Sequence, residues 1–207
     1  MKSFSRELVQ QRIEDSIATK KALLLDEGFL ASVTGLAEAL ASVIASGGRV
    51  LLCGNGGSAS DALHIAGELV GRFQKERSAW SAIALNADVA TMTAIANDYG
   101  YENVFARQVA AHIRKGDLFI GFSTSGNSEN ICAAVRTAQD LGGLTAAFTG
   151  NRGGKLGALV DFSIVVPDDV TARVQECHIL IGHIICELVE DFLVGTDGVD
   201  RTRSRTV

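Results

Sequence analysis

His64 and Glu68 lie four residues apart in a stretch whose pattern predicts a helix. This spacing places both side chains on one helix face, so that they can reach a single point. An imidazole and a carboxylate that converge in this way suit metal ligation, and they also suit proton transfer to two groups of one substrate. The same spacing is typical of a surface ion pair, so the pair by itself leaves all three interpretations open.

Two short loops rich in glycine and hydroxyl groups each follow an apolar run and precede a predicted helix. The first loop spans residues 54–58 (GNGGS) and the second spans residues 123–128 (STSGNS). Glycine allows the backbone to approach a ligand closely, and a helix N-terminus presents free N–H groups and the positive end of the helix dipole. Together the loops predict a small phosphorylated ligand held between the ends of parallel strands.

A long predicted helix near the C-terminus carries Gln175, His178 and His183. Gln175 and His183 are two turns apart and about 80° apart around the axis, so a wide face could present both to one site. His178 is about 140° from His183 and cannot share its site in a regular helix. We therefore interpret His178 as a structural or interface residue and His183 as the functional candidate, although a histidine on an apolar helix is also typical of a core.

An alternation of short apolar runs and helical stretches must position these residues. The apolar runs predict five strands, at residues 50–53, 82–85, 118–122, 144–148 and 162–166. Helical patterns separate or follow them near residues 58–74, 88–112, 127–141, 152–159 and 170–194. Such an order is typical of a parallel sheet covered on both faces. The sequence therefore predicts an α/β fold with a doubly wound, five-stranded parallel sheet of the flavodoxin-like type, in a single domain over residues 1–207.

Helical patterns also precede the sheet. Two helices, broken near residues 26–28, form an N-terminal extension over residues 1–47, and the second helix carries an apolar stripe at helical spacing. The residues of that stripe are Leu30, Val33, Leu36, Leu40 and Val43. Residues 195–207, with three arginines, are predicted to be a flexible tail.

Composition argues against several classes of protein. The net charge of −5 lacks the basic footprint of a nucleic-acid-binding domain. There is no run of about 18 uncharged apolar residues, so no membrane span is expected, and the first residues lack the apolar core of a signal peptide. Four cysteines without paired metal spacing indicate buried free thiols in the cytoplasm. They are Cys53, Cys132, Cys177 and Cys186.

The first loop also fits a relaxed dinucleotide-binding fingerprint, G-x-G-x-x-A over residues 54–59. That fingerprint calls for an acidic residue at the end of the second strand, to bind a ribose, and Asn86 stands there instead. The second hydroxyl-rich loop has no part in such a site. Both observations argue against a dinucleotide.

The motifs, taken in order, resemble those of the sugar isomerase (SIS) domain, and within it the phosphoheptose isomerase family. The resemblance extends from about residue 5 to residue 194. The resemblance depends on residues 53–58, Asp61, His64, Glu68, residues 97–98, residues 123–128, residues 174–176 and His183.

This resemblance implies an aldose–ketose isomerase that converts D-sedoheptulose 7-phosphate to D-glycero-D-manno-heptose 7-phosphate through an enediol(ate), in heptose biosynthesis for cell-surface polysaccharide. It implies one zinc ion per subunit, with Glu68 and His183 also acting as the acid–base pair. The implied zinc ligands are His64, Glu68, Gln175 and His183. The implied substrate-binding residues are Asn55, Gly56, Gly57, Glu68, Asn97, Asp98, Ser123, Thr124, Ser125, Ser128 and Gln175. The resemblance further implies a homotetramer with its sites at subunit interfaces.

One alternative belongs to a different class of protein. Residues 82–98 and 105–109 resemble those of bacterial replication-initiator-associating proteins, which share the fold. The chain could accordingly be a non-catalytic SIS tetramer that binds a phosphosugar or the replication initiator. Because Glu68 and His183 are both present here, the sequence favours the enzyme.

Overall fold

Five parallel strands form one sheet at the centre of the molecule. The computed structural model describes residues 5–194 and contains β1 (Val50–Gly54), β2 (Ala82–Ala84), β3 (Leu118–Ser123), β4 (Leu144–Gly150) and β5 (Phe162–Val166). Their order in the sheet is β2-β1-β3-β4-β5, and all neighbouring strands pair in parallel. The predicted fold class and all five strands are confirmed, with ends that differ by at most two residues.

Eight α-helices accompany the sheet in the described residues. They are α1 (Arg6–Leu24), α2 (Glu27–Ala45), α3 (Gly57–Val70), α4 (Val89–Tyr99), α5 (Val104–His112), α6 (Glu129–Asp140), α7 (Gly154–Gly157) and α8 (Thr171–Val194). Helix α3 ends at Val70, before Gly71, and not near residue 74 as predicted. The single helix predicted over residues 88–112 is also wrong. Gly100 has a φ of 84°, which breaks the helix, and a 3₁₀ turn (Tyr101–Asn103) joins the two parts.

The two loops singled out in the sequence lie side by side at one edge of this sheet. Strands β1 and β3 are neighbours, with Gly54 paired to Phe122 at their carboxyl ends. The order of the strands reverses direction between β1 and β3, so both loops flank a topological switch point. In open α/β sheets, ligands bind at such points.

Side chains from the two faces of the sheet enter two separate apolar cores. On one face, Leu52 and Phe122 pack with Leu36 of α2 and Ile181 of α8. On the other face, Phe119 packs with the apolar residues of α5 and α6. Helices therefore cover both faces, as a doubly wound sheet requires.

Helix α2 contributes the stripe that the sequence predicts, with Val33, Leu36, Leu40 and Val43 buried and Leu30 on the exposed side. By length and composition alone, α2 is the one helix among residues 5–194 that could cross a membrane. The buried stripe packs against α8 and β5, and a helix in the core of a soluble protein passes the same test. The predicted tail at residues 195–207 lies outside the described residues.

Candidate active site

Helices α3 and α8 lie side by side and run in the same direction, which brings together residues about 118 positions apart in the chain. Gln175 lies against Gly57 at the start of α3, and His183 faces His64 two turns later. Between these contacts the helices touch. A Cβ atom added to Gly182 would lie 2.6 Å from Cδ1 of Ile65. This close parallel contact positions the candidate catalytic side chains.

Two histidines and one glutamate meet where α3 and α8 touch. Nε2 of His64 is 2.9 Å from Nε2 of His183 and 3.2 Å from Oε1 of Glu68. One ligand atom from each of the three residues lies within 4.8 Å of the other two. The side chains are 49% exposed for His64 and 24% exposed for Glu68, so the cluster is open to a small molecule. The structure thus brings together three of the four residues predicted to bind a metal.

Two imidazoles and one carboxylate are a donor set typical of zinc in catalytic sites, where a further position stays available to water or substrate. The same groups can transfer protons when no metal engages them. The ring of Phe73 stacks on His183, with centroids 5.5 Å apart and planes 25° apart. This aromatic ring supports one wall of the cluster.

Gln175 occupies the other end of the contact between the helices. A Cβ atom on Gly57 would lie 2.6 Å from its Nε2, so the amide borders the first loop. Eight residues separate Gln175 from His183, about 12 Å along the axis of α8. Its role as a fourth metal ligand stays a prediction, whereas its contact with the loop that starts α3 is a feature of the structure.

His178 faces away from this cluster, into the core. Its side chain is fully buried, and its Nε2–H donates to the carbonyl oxygen of Thr149 at 3.1 Å. Burial lowers the pKa of His178 to about 4, and the hydrogen bond to Thr149 opposes this shift only in part. The structure agrees with the interpretation of His178 as a structural residue.

Asp61 lies on α3, one turn before His64. Its Oδ2 atom is buried and has no hydrogen-bond partner among residues 5–194. Burial raises the pKa of Asp61 to about 6, against a smaller opposing effect of His64. A carboxyl group in this state sits next to the cluster without belonging to it.

Side chains from three other segments hold the first loop. Gly56 has φ 58° and ψ −123°, a conformation that favours glycine. The Asn86 side chain bonds to both backbone groups of Gly54, and so continues the strand pairing into the loop. Asn55 exchanges two hydrogen bonds with Asn130, both of 3.0 Å, and its Oδ1 also accepts from the hydroxyl of Tyr101. The sequence gives no local signal for these partners of Asn55, because they lie in separate segments.

Hydroxyl groups in the second loop are close together. The Oγ atoms of Ser123 and Ser128 are 2.8 Å apart, and Oγ of Ser125 accepts from the amide of Asn127. Ser128 precedes α6 as its N-cap residue but makes no side-chain capping bond, so its hydroxyl can contact a ligand. A cavity of about 400 Å³ borders this loop, and Thr124 and Ser125 are among its lining residues.

Asn97 and Asp98 lie near the end of α4, where both are exposed and Nδ2 of Asn97 donates to Oδ1 of Asp98 at 2.8 Å. The next helical turn provides Tyr101, which reaches Asn55 of the first loop. A direct role for Asn97 and Asp98 in substrate binding stays a prediction.

Comparison with known proteins identifies relatives over most of the chain. Residues 25–150 match the family model of the SIS domain. Phosphoheptose isomerase of Aquifex aeolicus is 47% identical over 187 residues, which cover 90% of this chain and 97% of that protein. Phosphoheptose isomerase of Burkholderia pseudomallei is 49% identical over 193 residues, which cover 92% of this chain and 98% of that protein.

Solved structures agree with the sequence relatives. A phosphoheptose isomerase from Neisseria gonorrhoeae superposes with a TM-score of 0.85 at 38% identity, over 90% of this chain and 98% of that one. A phosphoheptose isomerase from Francisella tularensis superposes with a TM-score of 0.86 at 38% identity, over 91% of this chain and 100% of that one.

Proposed function

The chain belongs to the phosphoheptose isomerases of the SIS-domain family, and we propose that His64, Glu68 and His183 form its catalytic centre. It is an aldose–ketose isomerase of heptose biosynthesis, with D-sedoheptulose 7-phosphate as its substrate. The product, D-glycero-D-manno-heptose 7-phosphate, would serve cell-surface polysaccharide. The main support for this catalytic centre is that two imidazoles and a carboxylate from α3 and α8 lie close together.

Interconversion of a ketose and an aldose moves a proton between C1 and C2 through an enediol(ate). One group must remove a proton from carbon, and another must exchange protons at the oxygens. We assign these roles to Glu68 and His183, which approach the same point from different helices. Glu68 would remove the proton from one carbon and His183 would act across the substrate; the reverse assignment is the alternative, with the substrate held in the opposite orientation.

Zinc is the metal that best suits this donor set, and we propose one ion per subunit. His64, Glu68 and His183 would hold it, with Gln175 as a fourth ligand. The bound ion would polarise the substrate carbonyl and stabilise charge on its oxygen, an effect worth several kcal/mol. A carboxylate that ligates a metal is a weaker base, so Glu68 must bind less tightly if it also removes the proton.

The two loops would bind the substrate at its two ends. Ser123, Thr124, Ser125 and Ser128 provide hydroxyl groups for the phosphate, close to the N-terminus of α6. Residues 55–57, Gln175, Asn97 and Asp98 would contact the sugar. Since the phosphate is remote from C1 and C2, its binding energy would mainly orient the reacting carbons.

A homotetramer with sites at subunit interfaces fits the exposed apolar residues. Two helices present them: Leu8, Val9, Ile13 and Ile17 on α1, and Ile184, Leu188 and Phe192 on α8. Apolar surface of this extent is typical of an interaction site. The α1 surface adjoins Glu176, which accepts from the hydroxyl of Ser16 and is the neighbour of Gln175 in sequence. A subunit docked on α1 would therefore lie beside the site, and sedimentation of the purified chain tests the assembly.

A cytoplasmic location is also part of the proposal. The four cysteines are buried and unpaired, which suits a reducing compartment. The alternative of a non-catalytic tetramer that binds the replication initiator is not favoured, because the relatives named above, which cover nine-tenths of the chain, are isomerases.

Proton NMR of the purified chain with sedoheptulose 7-phosphate tests the function and the metal in one experiment. We expect an aldose signal that grows with time, faster after added zinc and slower after a chelator. No aldose signal at high enzyme concentration, with zinc present, would contradict the assigned activity. Equal rates with zinc and with chelator would contradict the metal and leave the isomerase intact.

A further inference from the structure

A buried ion pair lies at the far end of the contact between α3 and α8. Nε of Arg77 is 2.9 Å from Oε1 of Glu190, and the two side chains are 0% and 1% exposed. Glu190 is two turns after His183 on α8, on nearly the same face of the helix. Arg77 belongs to the segment that follows α3. The pair therefore links the end of α3 to α8, below the candidate metal centre.

The carboxylate of Glu190 also holds the backbone after α3. The amides of Phe73, Gln74 and Lys75 donate to its two oxygens at 2.8, 2.7 and 2.9 Å. Burial would raise the pKa of Glu190, but these amides together with Arg77 outweigh it and leave the pKa below its usual range. Four donors thus fix one carboxylate and, through it, the course of residues 73–75.

The guanidinium group of Arg77 reaches the backbone of α3 itself. Its NH2 nitrogen donates to the carbonyl oxygen of Glu68 at 2.7 Å, and its NH1 nitrogen donates to that of Leu69 at 3.0 Å. The group also lies 3.5 Å from the centre of the Trp80 ring. Arg77 therefore bonds directly to the backbone of a residue in the cluster.

A second connection runs from the ion pair to His183. Oε1 of Glu190 accepts from the amide of Phe73, and the Phe73 ring stacks on the imidazole of His183. Glu190 thereby fixes the backbone that presents this ring. Arg77 bonds to the backbone of Glu68, and Glu190 bonds to the backbone of Phe73, whose ring contacts His183. The ion pair is thus connected to both helices of the proposed centre.

Stability alone gives a weak reason for such a pair, because an apolar pair of similar volume is often as stabilising as a buried salt bridge. Its hydrogen bonds instead end on the backbone of Glu68 and on the residue stacked against His183. Groups that orient metal ligands from behind commonly change metal affinity by about 10- to 100-fold. We propose that Glu190 and Arg77 are positioning residues that set the orientation of His183 and Glu68 for metal binding. This inference rests on the proposed metal centre.

The test compares Glu190→Gln with a matched control, Asp191→Asn. Asp191 is the next residue on α8, and its Oδ1 lies 2.6 Å from Nζ of Lys75, in the segment that Glu190 also holds. This second ion pair is partly exposed, so its loss should have little effect. Phe73→Leu removes the stacked ring and leaves the buried pair in place. If Glu190→Gln does not fold, Arg77→Lys replaces it, since lysine keeps the charge and loses the planar fork.

Two readouts are needed, both on the full-length chain. The first is the affinity for Zn²⁺ alone, by competition with a chromophoric chelator. The second is the NMR signal of the His183 ring in the metal-free protein, which the stacked Phe73 ring displaces. With only four histidines in the chain, this signal can be assigned by substitution.

We expect Glu190→Gln and Phe73→Leu each to weaken Zn²⁺ binding by about tenfold or more and to shift the His183 signal in the same direction. Asp191→Asn should leave both readouts at their wild-type values. Lower thermal stability of Glu190→Gln with both readouts unchanged would overturn the inference and make the pair purely structural. If the wild-type chain binds no Zn²⁺, the proposed metal fails, and the His183 signal alone still decides whether Glu190 positions this ring.

Discussion

Nε2 of His64 and Nε2 of His183 are 2.9 Å apart, although 119 positions separate them in the chain. The contact exists because α3 and α8 pack in parallel and in close register. Glu68 Oε1 completes the group at 3.2 Å from His64. A carboxylate and an imidazole from different helices can thus reach one substrate, where an aldose–ketose isomerase needs one group to remove a proton from carbon and another to exchange protons at the oxygens.

Substitution of Glu68 by glutamine should lower turnover strongly and, with zinc present in excess, leave substrate binding largely intact. The amide keeps the shape of the side chain but cannot accept a proton, and general acid–base groups contribute about 10²- to 10⁴-fold in rate. We expect kcat to fall by at least about 100-fold, measured by NMR, with substrate affinity by calorimetry nearly unchanged. Glu76→Gln, at a side chain that is 91% exposed, is the control. A kcat for Glu68→Gln within about threefold of wild type would remove Glu68 from the proposed acid–base pair.

Substitution of Ser125 by alanine should mainly raise KM, whereas substitution of Glu68 should mainly lower kcat. A hydrogen bond to a charged group such as a phosphate is worth about 1.5–3 kcal/mol, so KM should rise by about tenfold or more. The remaining hydroxyl groups of the loop still hold and orient the substrate, so kcat should fall by less than KM rises. Ser32→Ala is the control, because that hydroxyl only donates to the Gly28 carbonyl oxygen on α2. An unchanged KM would argue that this loop does not hold the phosphate.

Local geometry explains what could be predicted from sequence. The pairing of His64 with Glu68, and the separation of His178 from His183, both follow from 3.6 residues per turn. The meeting of α3 with α8 is not local, and no spacing within either helix indicates it. For this reason the cluster as a whole could be expected only from the resemblance to a family.

The helix break at Gly100 and the contacts of Asn55 have physical causes that local patterns do not reveal. The apolar pattern continues from Ile95 across Gly100 to Val104, because residues on both sides of the break pack into the same core. In the structure the helix stops at Tyr99, Gly100 has a positive φ, and a 3₁₀ turn begins at Tyr101. The partners of Asn55 have no local pattern in the sequence, because Tyr101 and Asn130 reach it from different elements.

His178 should make the fold sensitive to acid. Its folded pKa of about 4 lies below the ordinary value of 6.5, so the unfolded chain binds the extra proton first as the pH falls. The contribution of His178 to the free energy of unfolding should therefore be constant above pH 6.5 and should decline between pH 6.5 and about 4. The total decline that this residue causes should be about 3 kcal/mol.

Urea unfolding across this pH range, with a chelator present, measures the effect. His178→Gln should be less stable at neutral pH but should lose most of the decline between pH 6.5 and 4. His112→Gln, near the end of α5, serves as the control and should keep the wild-type slope. A His178→Gln variant with an unchanged slope would assign the acid sensitivity to other groups.

The close contact of α3 with α8 can be tested by adding one methyl group. A Cβ atom at Gly182 would lie 2.6 Å from Cδ1 and 2.9 Å from Cγ1 of Ile65, a buried residue with little room to move. Gly182→Ala should cost about 1–3 kcal/mol of stability through overpacking. Because Ile65 adjoins His64 and Gly182 adjoins His183, we expect the helices to separate at the cluster and Zn²⁺ affinity to fall by about tenfold.

A second substitution separates this effect from simple loss of stability. Ile65→Ala in the Gly182→Ala background removes both clashing atoms, so it should restore much of the Zn²⁺ affinity even though it leaves the core less well filled. Gly67→Ala is the control, since a Cβ atom there meets nothing within 4 Å and alanine favours the helix. If Gly182→Ala binds Zn²⁺ as wild type does, the register of α3 and α8 does not limit the metal centre.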